Sequence, residues 1–438
     1  MILPYLLRFV TLCNLLLFSL YGEEVRVELQ ATHALNPIYI GSARIANSTL
    51  SSPYISQLQE IFERDLNWNG STRVVQRTPE REQLTYQPNI STCKAMGIPY
   101  VAVMKFDQQE VTLKLFNARS GKMHIFSPIR LSGMLDSDRR LIHRLADNVH
   151  KTLFDIHGIA STKILFSWQK QEGIPGSPAE IWECDWDGEN LRQITHENST
   201  CITPVAVPSS HSFLFVSYKQ GKPKIYIGSR TNPSTKPFVP LRGNQLLPAI
   251  SMQRDKIAFI SDVSSRADLF LLSLNSEEGE MGKPQQLFSF PRAVQASPTF
   301  HPDGSKIAFV SDKDGSPRIY IISLNDSPAR PSATLISKKN RESTCPAWSP
   351  DGKKIAYSAK TEGVRQIWIY DFEKKEERQL TSGPGNKENP SWAPNSQHLV
   401  FNISDRDHAD LYVAHMDHPK VLKITHQPGK KHYPSWGE

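Results

Sequence analysis

The run Ser404-Asp-Arg-Asp-His-Ala-Asp-Leu-Tyr412 gathers three carboxylates and an imidazole between positions 405 and 410. Residues of this type, here Asp405, Asp407, His408 and Asp410, can ligate a divalent cation or serve as a general base. Two other stretches bear on that reading. Ser261-Asp-Val-Ser-Ser-Arg-Ala-Asp-Leu-Phe270 and Ser311-Asp-Lys-Asp-Gly-Ser-Pro-Arg-Ile-Tyr320 keep the frame and lose most of the ligands. What recurs is a turn between two strands, where Asp and Gly need no catalytic reason. The other patterns that carry chemistry are missing: there is no Gly-x-Ser-x-Gly elbow, no His-Glu-x-x-His, no P-loop and no Gly-x-Gly-x-x-Gly. The five cysteines, Cys13, Cys93, Cys184, Cys201 and Cys345, form no Cys-x-x-Cys and none pairs with a His at zinc spacing. Cys184 and Cys201 share one repeat and could bridge in an oxidising compartment, although they read first as separate thiols. The sequence therefore predicts no catalytic residue, no metal ligand and no cofactor.

The elements that would position those residues repeat. Cys345-Pro-Ala-Trp-Ser-Pro-Asp-Gly-Lys-Lys-Ile-Ala-Tyr-Ser-Ala359 reads as strand, tight turn, strand, with Pro350, Asp351 and Gly352 supplying the turn chemistry. Its Pro-x-apolar opening recurs at Pro204, Pro248, Pro298, Pro346, Pro390 and Pro434, at intervals of 44 to 50 residues. A period of this length marks a propeller or solenoid. Second strands follow in Phe213-Leu-Phe-Val-Ser, Lys256-Ile-Ala-Phe-Ile-Ser, Lys306-Ile-Ala-Phe-Val-Ser, Lys354-Ile-Ala-Tyr and His398-Leu-Val-Phe; third and weaker fourth strands complete each repeat. The repeat region opens at Lys163-Ile-Leu-Phe-Ser-Trp, a second strand without a first. The chain stops after Tyr433-Pro-Ser-Trp436, a first strand without a second. A six-bladed β-propeller, closed by pairing the C-terminal strand with the first blade, explains both ends. It is expected over residues 159–438.

Residues 1–22 read as a secretory signal peptide: Arg8, the apolar core Phe9–Leu20, then Gly22 before Glu23. No later stretch is long and apolar enough to span a bilayer. Residues 23–158 are expected to form a small α/β domain, with helices over Ser52–Leu66 and Ser137–Ile156 and a hairpin over Glu110–Phe126 around Ser120-Gly121. Hydrophobic residues make up 39% of the chain and charged ones 22%, which fits a folded protein. The formal charge of +7 comes from scattered Lys and Arg rather than from a basic run. Nucleic acid is therefore not an expected partner.

Signal peptide, α/β domain, repeats of the form Pro-x-Trp-Ser-Pro-Asp-Gly-x-x-Ile-Ala-Tyr, the start Glu24-Val-Arg-Val27 and the segment Phe290–Phe309 together resemble the TolB family, the periplasmic component of the Tol–Pal system of Gram-negative bacteria. The resemblance covers nearly the whole chain after residue 22. It implies a monomeric, non-enzymatic adaptor in the periplasm, peripheral to the membrane, that supports outer-membrane invagination during division and envelope integrity. It further implies that Glu23, Glu24, Val25, Arg26, Val27, Glu28 and Leu29 bind a TolA-like inner-membrane protein or fold back on the body. A short alternating strand suits addition to a sheet edge. A Pal-like lipoprotein would bind at one mouth of the propeller channel, where the resemblance implies contacts from Arg292, Gln295, Thr344, Glu388 and His432. The family commonly offers a His just after Phe-Pro-Arg; here Ala293 and Val294 follow Arg292. The alternatives are a secreted propeller hydrolase, for which the residues ahead of the propeller leave little room, and a glycan-binding propeller. The latter favours exposed aromatics, whereas Trp348, Trp392 and Trp436 fall on strands expected to be buried.

Overall fold

A computed structural model describes residues 26–27 (as backbone), 34–170, 177–274, 282–325, 332–418 and 421–437. The expected signal peptide lies outside them.

The first unit is a sheet with the long helices on one face and a short helix on the other. Its strands run in the order Thr72–Val75, Asn36–Ile40, Tyr100–Asp107, Glu110–Asn117 and Lys122–Ile125. Asn36–Ile40 is parallel to both of its neighbours, and the remaining pairs along this order are antiparallel. Helix α1 (Ser52–Asn67) starts at a Pro in its first turn, where the missing N–H costs nothing. Two short helices follow, α2 (Pro79–Glu82) and α3 (Ile90–Ala95), and then α4 (Leu135–Phe154). Ile55, Leu58 and Phe62 of α1 and Ile142, Leu145 and Val149 of α4 bury the face made by Ile38, Ile40, Tyr100 and Ala102. On the opposite face Cys93 of α3, with Leu84 and Ile98, covers Tyr39, Val101 and Phe116.

From Lys163 the chain repeats one antiparallel four-stranded meander. The strand sets are Cys201–Ala206 with Ser212–Ser217, Lys224–Ser229 and Thr235–Pro237; Gln245–Ile250 with Lys256–Ser261, Asp268–Ser273 and Gln285–Phe288; and Gln295–Phe300 with Lys306–Ser311, Arg318–Ser323 and Thr334–Leu335. Ser343–Trp348 then pairs on through Lys354–Thr361, Val364–Asp371 and Glu376–Gln379, and Asn386–Trp392 through His398–Ser404, Ala409–His415 and Val421–Lys423. The last strand, Lys430–Gly437, pairs with Lys163–Gln169, which continues to Glu180–Asp185 and Arg192–Gln193. Trp348, Trp392 and Trp436 are buried, as the pattern requires.

The inner strands share a bulge. Each loses ladder register around an X-Pro step, as between Thr344 and Ala347 or Glu388 and Ser391. The residue before each proline (Thr203, Leu247, Ser297, Cys345, Asn389, Tyr433) has φ between 47° and 54°, a left-handed conformation that non-glycine residues seldom adopt. These residues and their prolines line one narrow axial cavity of about 130 Å3.

The two units share a core. Trp186, fully buried, joins the cluster beneath α1 and α4, and its Nε1 donates to Asp65 Oδ1 at 3.0 Å. The α1–sheet turn at Trp68–Ser71 is held by histidines. His398 Nε2 donates to the Trp68 carbonyl at 2.8 Å while its Nδ1 lies 3.0 Å from the Asn395 amide nitrogen. The His415 ring sits 4.6 Å from it, with Nδ1 accepting from the Asp417 N–H. His415 Nε2 points at Gly70, where a Cβ would come within 2.3 Å of it. His150 of α4 pairs with Ser71 Oγ at 2.8 Å. Burial pushes His398 well below its ordinary range, His415 down to about 4, and His150 downward as well.

Candidate partner-binding site

The bulge sets which side chains the channel mouth presents. Position −3 from each proline is buried; at position −2, Ile202, Leu246 and Ala296 pack against the hydrophobic cores, whereas the last three strands carry polar residues there. Thr344, Glu388 and His432 occupy position −2 on three inner strands. Arg365, which begins the neighbouring outward run, joins the first two. Its Nη1 donates to Thr344 Oγ1 at 3.1 Å, and its Nε lies 3.5 Å from Glu388 Oε1. Ser404 Oγ donates to the other Glu388 oxygen at 3.1 Å. Burial lowers the basicity of His432 and the nearby Glu388 carboxylate opposes that shift, so the imidazole and the carboxylate share the same field. The structure thus brings Thr344, Glu388 and His432 together and adds Arg365. That arginine was not singled out from sequence, although a cation one hairpin turn (Glu362-Gly363) from the repeated strand was a visible signal.

Gln295 does not belong to this presented set. It occupies position −3, is 1% exposed, and its amide NH2 donates to the Ala267 carbonyl at 2.7 Å and to Asp268 Oδ1 at 3.0 Å. Gln245, Lys387 and Lys431 hold the equivalent place and are buried too. These long polar side chains tie each inner strand to the ends of the preceding strands: Lys431 Nζ, for instance, lies 2.9 Å from Asp410 Oδ1 and 3.1 Å from the Gly429 carbonyl. The resemblance implies Gln295 as a contact at the mouth; here it lies on the bulged inner strand with its side chain buried. Arg292 stands exposed on the loop before Gln295 with φ of 60°, and Phe290 and Val294 flank it, 40% and 52% exposed.

Of the expected amino-terminal segment, Glu23, Glu24, Val25, Glu28 and Leu29 lie outside the described residues. Arg26–Val27 pairs antiparallel with Thr381–Ser382, Arg26 opposite Ser382 and Val27 opposite Thr381. This dipeptide therefore pairs with the repeat region rather than opening the first sheet. The stretch that receives it is pinned from below. Thr381 Oγ1 accepts from the Ile367 N–H and donates to Gln366 Oε1, and Gln366 Nε2 donates to the Gly383 carbonyl at 2.8 Å. Lys387 Nζ donates to the carbonyls of Gly383 and Pro384; burial among these dipoles pulls its pKa down to about 8. Five residues beyond Ser382 stands Lys387, and Glu388 of the mouth is its neighbour.

The remaining polar clusters have structural occupations. Asp405 Oδ1 accepts the N–H groups of Asp407 (2.9 Å) and His408 (2.8 Å), capping its own turn. Asp410 binds Lys423, Lys431 and Thr425 at 2.7–2.9 Å. His143, Asp185 and Asp187 lie close enough to ligate one metal ion. Their carboxylates are already taken: Asp187 by Arg139 at 2.5 Å and Arg64 at 3.2 Å, Asp185 by Lys163, while Asp65 holds His143 Nδ1 at 2.7 Å. Three fixed cations balance three carboxylates, so a divalent ion would leave a buried excess of positive charge. The cluster fits an ion-pair network between the units. Cys184 and Cys201 are separate buried thiols, as is Cys93, while Cys345 is a half-buried thiol lining the axial cavity.

Residues 150–438 match the family described as TolB beta propeller domain. A relative named Protein TolB homolog, from Protochlamydia amoebophila (strain UWE25), is 44% identical over 387 residues, covering 85% of this chain and 82% of its own. Another of that name, from Chlamydia abortus (strain DSM 27085 / S26/3), is 38% identical over 280 residues, 62% of this chain and 61% of its own length. The solved structure of TolB from Acinetobacter baumannii superposes with a TM-score of 0.78 at 20% identity, covering 94% of this chain and 99% of that one; this likeness concerns the fold.

Proposed function

The chain belongs to the TolB family, and from that premise we propose that it is a non-enzymatic periplasmic adaptor joining a TolA-like inner-membrane protein to a Pal-like outer-membrane lipoprotein. In this reading a signal peptide of residues 1–22 is removed, residues 23–158 form the α/β domain, and residues 159–438 form six blades closed into a ring. Support for closure comes from the pairing of Lys430–Gly437 with Lys163–Gln169 and from the X-Pro steps converging on one axial cavity. Among the described residues no helix is long and apolar enough to cross a membrane.

One observation carries the proposal: the strand Arg26–Val27 lies on Thr381–Ser382, within a few residues of the mouth built by Arg365, Thr344 and Glu388. A two-residue pairing at a chain end holds weakly and can be exchanged for a partner's sheet edge. The mouth offers the Pal-like protein a charged centre, Arg365–Glu388–Thr344 with His432, and a rim from Arg292. Gln295 supports the rim from inside. A hydrolase would need Asp405, Asp407 or Asp410 to act, but Asp405 and Asp410 are committed to turn capping and ion pairing.

The test is calorimetric titration of the chain from Glu23 with the soluble domain of its own Pal-like lipoprotein, repeated with Arg365→Ala and Glu388→Gln. Saturable binding that weakens by at least about tenfold in both variants is expected, a loss of ~1.4 kcal/mol or more. A folded protein that binds nothing, or binds equally well in both variants, would overturn the reading.

A further inference from the structure

The first unit ends its sheet on an open edge. Lys122–Ile125 is the terminal strand among the described residues. Phe126 N–H donates to the Leu113 carbonyl, so antiparallel alternation places Phe126, His124 and Lys122 in bonded pairs and Met123 and Ile125 in non-bonded ones. The backbone N–H and C=O groups of Met123 and Ile125 therefore point away from the sheet. Their side chains, 45% and 65% exposed, share the face of Phe116. Sheet edges are ordinarily blunted by charge or covered; this one shows Met and Ile.

Ile90, at the start of α3, stands beside it: a Cβ on Gly121 would lie 3.1 Å from Ile90 Cδ1. Ile90 is 53% exposed and forms the lip of a hollow of about 560 Å3, whose walls include Pro37, Cys93, Ile98 and Ala118. No carboxylate lines the hollow, whereas Lys94 and Arg119 do. Lys122 and Lys114 add exposed cations on the strand and its neighbour. The surface thus combines unpaired backbone, an apolar strip and a positive border.

We propose that this edge and hollow form a second docking surface, taking an extended acidic–apolar segment of another protein as an added strand. The partner's backbone would pair with Met123 and Ile125. One apolar side chain would enter the hollow past Ile90, and its carboxylates would face Lys94, Arg119 and Lys122. A lipid could fill the hollow but has no backbone groups for the edge, which is why a peptide is the better occupant. The surface belongs to the α/β unit and uses none of the mouth residues, so it stands whether or not the adaptor reading holds.

The probe is a short fluorescent peptide alternating Leu and Asp, titrated into the full chain by anisotropy, beside a Leu–Lys counterpart and phosphatidylglycerol vesicles. Saturable binding of the acidic peptide alone is expected. It should fall at least about tenfold in Ile90→Glu and in Lys94→Glu. Both substitutions are at exposed positions and leave the fold intact. On binding, the amides of Met123 and Ile125 should gain protection from hydrogen exchange. The proposal is overturned by absence of saturation, by equal binding in both variants, by unprotected edge amides, or by vesicles binding where the peptide does not.

Discussion

Acid should loosen the join between the two units, and His415 is the residue with which to measure it. Its ring is 4% exposed, wedged between His398 and Gly70, and burial holds its pKa near 4 against an ordinary 6.5; the Asp417 carboxylate opposes the shift and the His418 field adds to it. A base depressed on folding is neutral in both states above pH 6.5. As pH falls below that value the unfolded chain takes up the proton and the folded chain does not, so stability is full above ~6.5 and is lost progressively down to ~4. The whole shift corresponds to about 3 kcal/mol, of which ~1.4 kcal/mol is gone by pH 5.5. His398 and His150 are depressed in the same direction and add to the effect. Asp65, raised to about 6 by burial, and His143, which burial would lower but the surrounding carboxylates raise, work the other way: each binds its proton better when folded and so gains stability on acidification. The clean measurement is therefore a difference. Urea unfolding of the parent and of His415→Asn, which keeps an acceptor for the Asp417 N–H, is followed at pH 7.5 and 5.5. The parent should lose ~1.4 kcal/mol more than the variant between those values. Identical pH dependence of the two proteins would show that His415 is not held neutral in a closed join.

Three further outcomes follow from named contacts. Gly70→Ala places a side chain in a left-handed turn (φ 79°) and against His415 Nε2, and should cost about 2 kcal/mol or more in thermal unfolding, whereas Gly97→Ala (φ 65°), which meets open space, should cost only the backbone strain of about 1 kcal/mol. Asp187→Ala leaves Arg139 buried without its carboxylate and should destabilise the join by about 3–5 kcal/mol; a change within experimental error would mean that water already reaches the network. Deleting residues 430–438 strips the strand paired with Lys163–Gln169 and removes Trp436, whose Nε1 donates to Thr162 at 2.7 Å; light scattering after gel filtration should find aggregates from the bared edge, and a folded monomer would refute the pairing.

How much of this was legible depended on whether one strand or two determined it. The second strands, such as Lys256–Ser261 and Lys306–Ser311, carry their burial in their own residues and fall where the sequence puts them. The long helices do too, α1 within a residue and α4 displaced by two. Short elements that fold only against a partner were opaque. Ile90–Ala95 is too brief to show a helical period, and Asn36–Ile40 is buried in the middle of its sheet without alternation. Gln295, implied as a contact by the resemblance, is buried because the loop residue belongs to a bulged strand, and a bulge leaves no mark in the sequence pattern. The histidine join was hidden for a different reason: His150, His398 and His415 lie far apart in sequence, and each looks like an ordinary scattered imidazole until the turn at Gly70 brings them together.

The bulge also bears on how a repeated framework would carry the proposed, unrepeated site. Positions −3 and 0 are constrained, the first by buried ties such as Gln245, Gln295, Lys387 and Lys431, the second by the proline. Between them, the left-handed residue costs on the order of 1–3 kcal/mol per strand, yet it recurs on every inner strand from Thr203 to Tyr433. Its effect is to break ladder register just after the −2 residue, which is itself still paired, as Thr344 is with Ser358 and Glu388 with Asn402. Ile202, Leu246, Ala296, Thr344, Glu388 and His432 occupy that place, apolar on one side of the sequence and polar on the other. Exchanging Thr344 or Glu388 should accordingly alter partner affinity while leaving unfolding within about 0.5 kcal/mol of the parent. The same exchange at Lys387 should lower stability and release Arg26–Val27, because the carbonyls of Gly383 and Pro384 lose their donor. Limited proteolysis at the amino terminus, with unfolding measured in parallel, separates the two classes; equal effects at Glu388 and Lys387 would mean that the bulge does not divide framework from site.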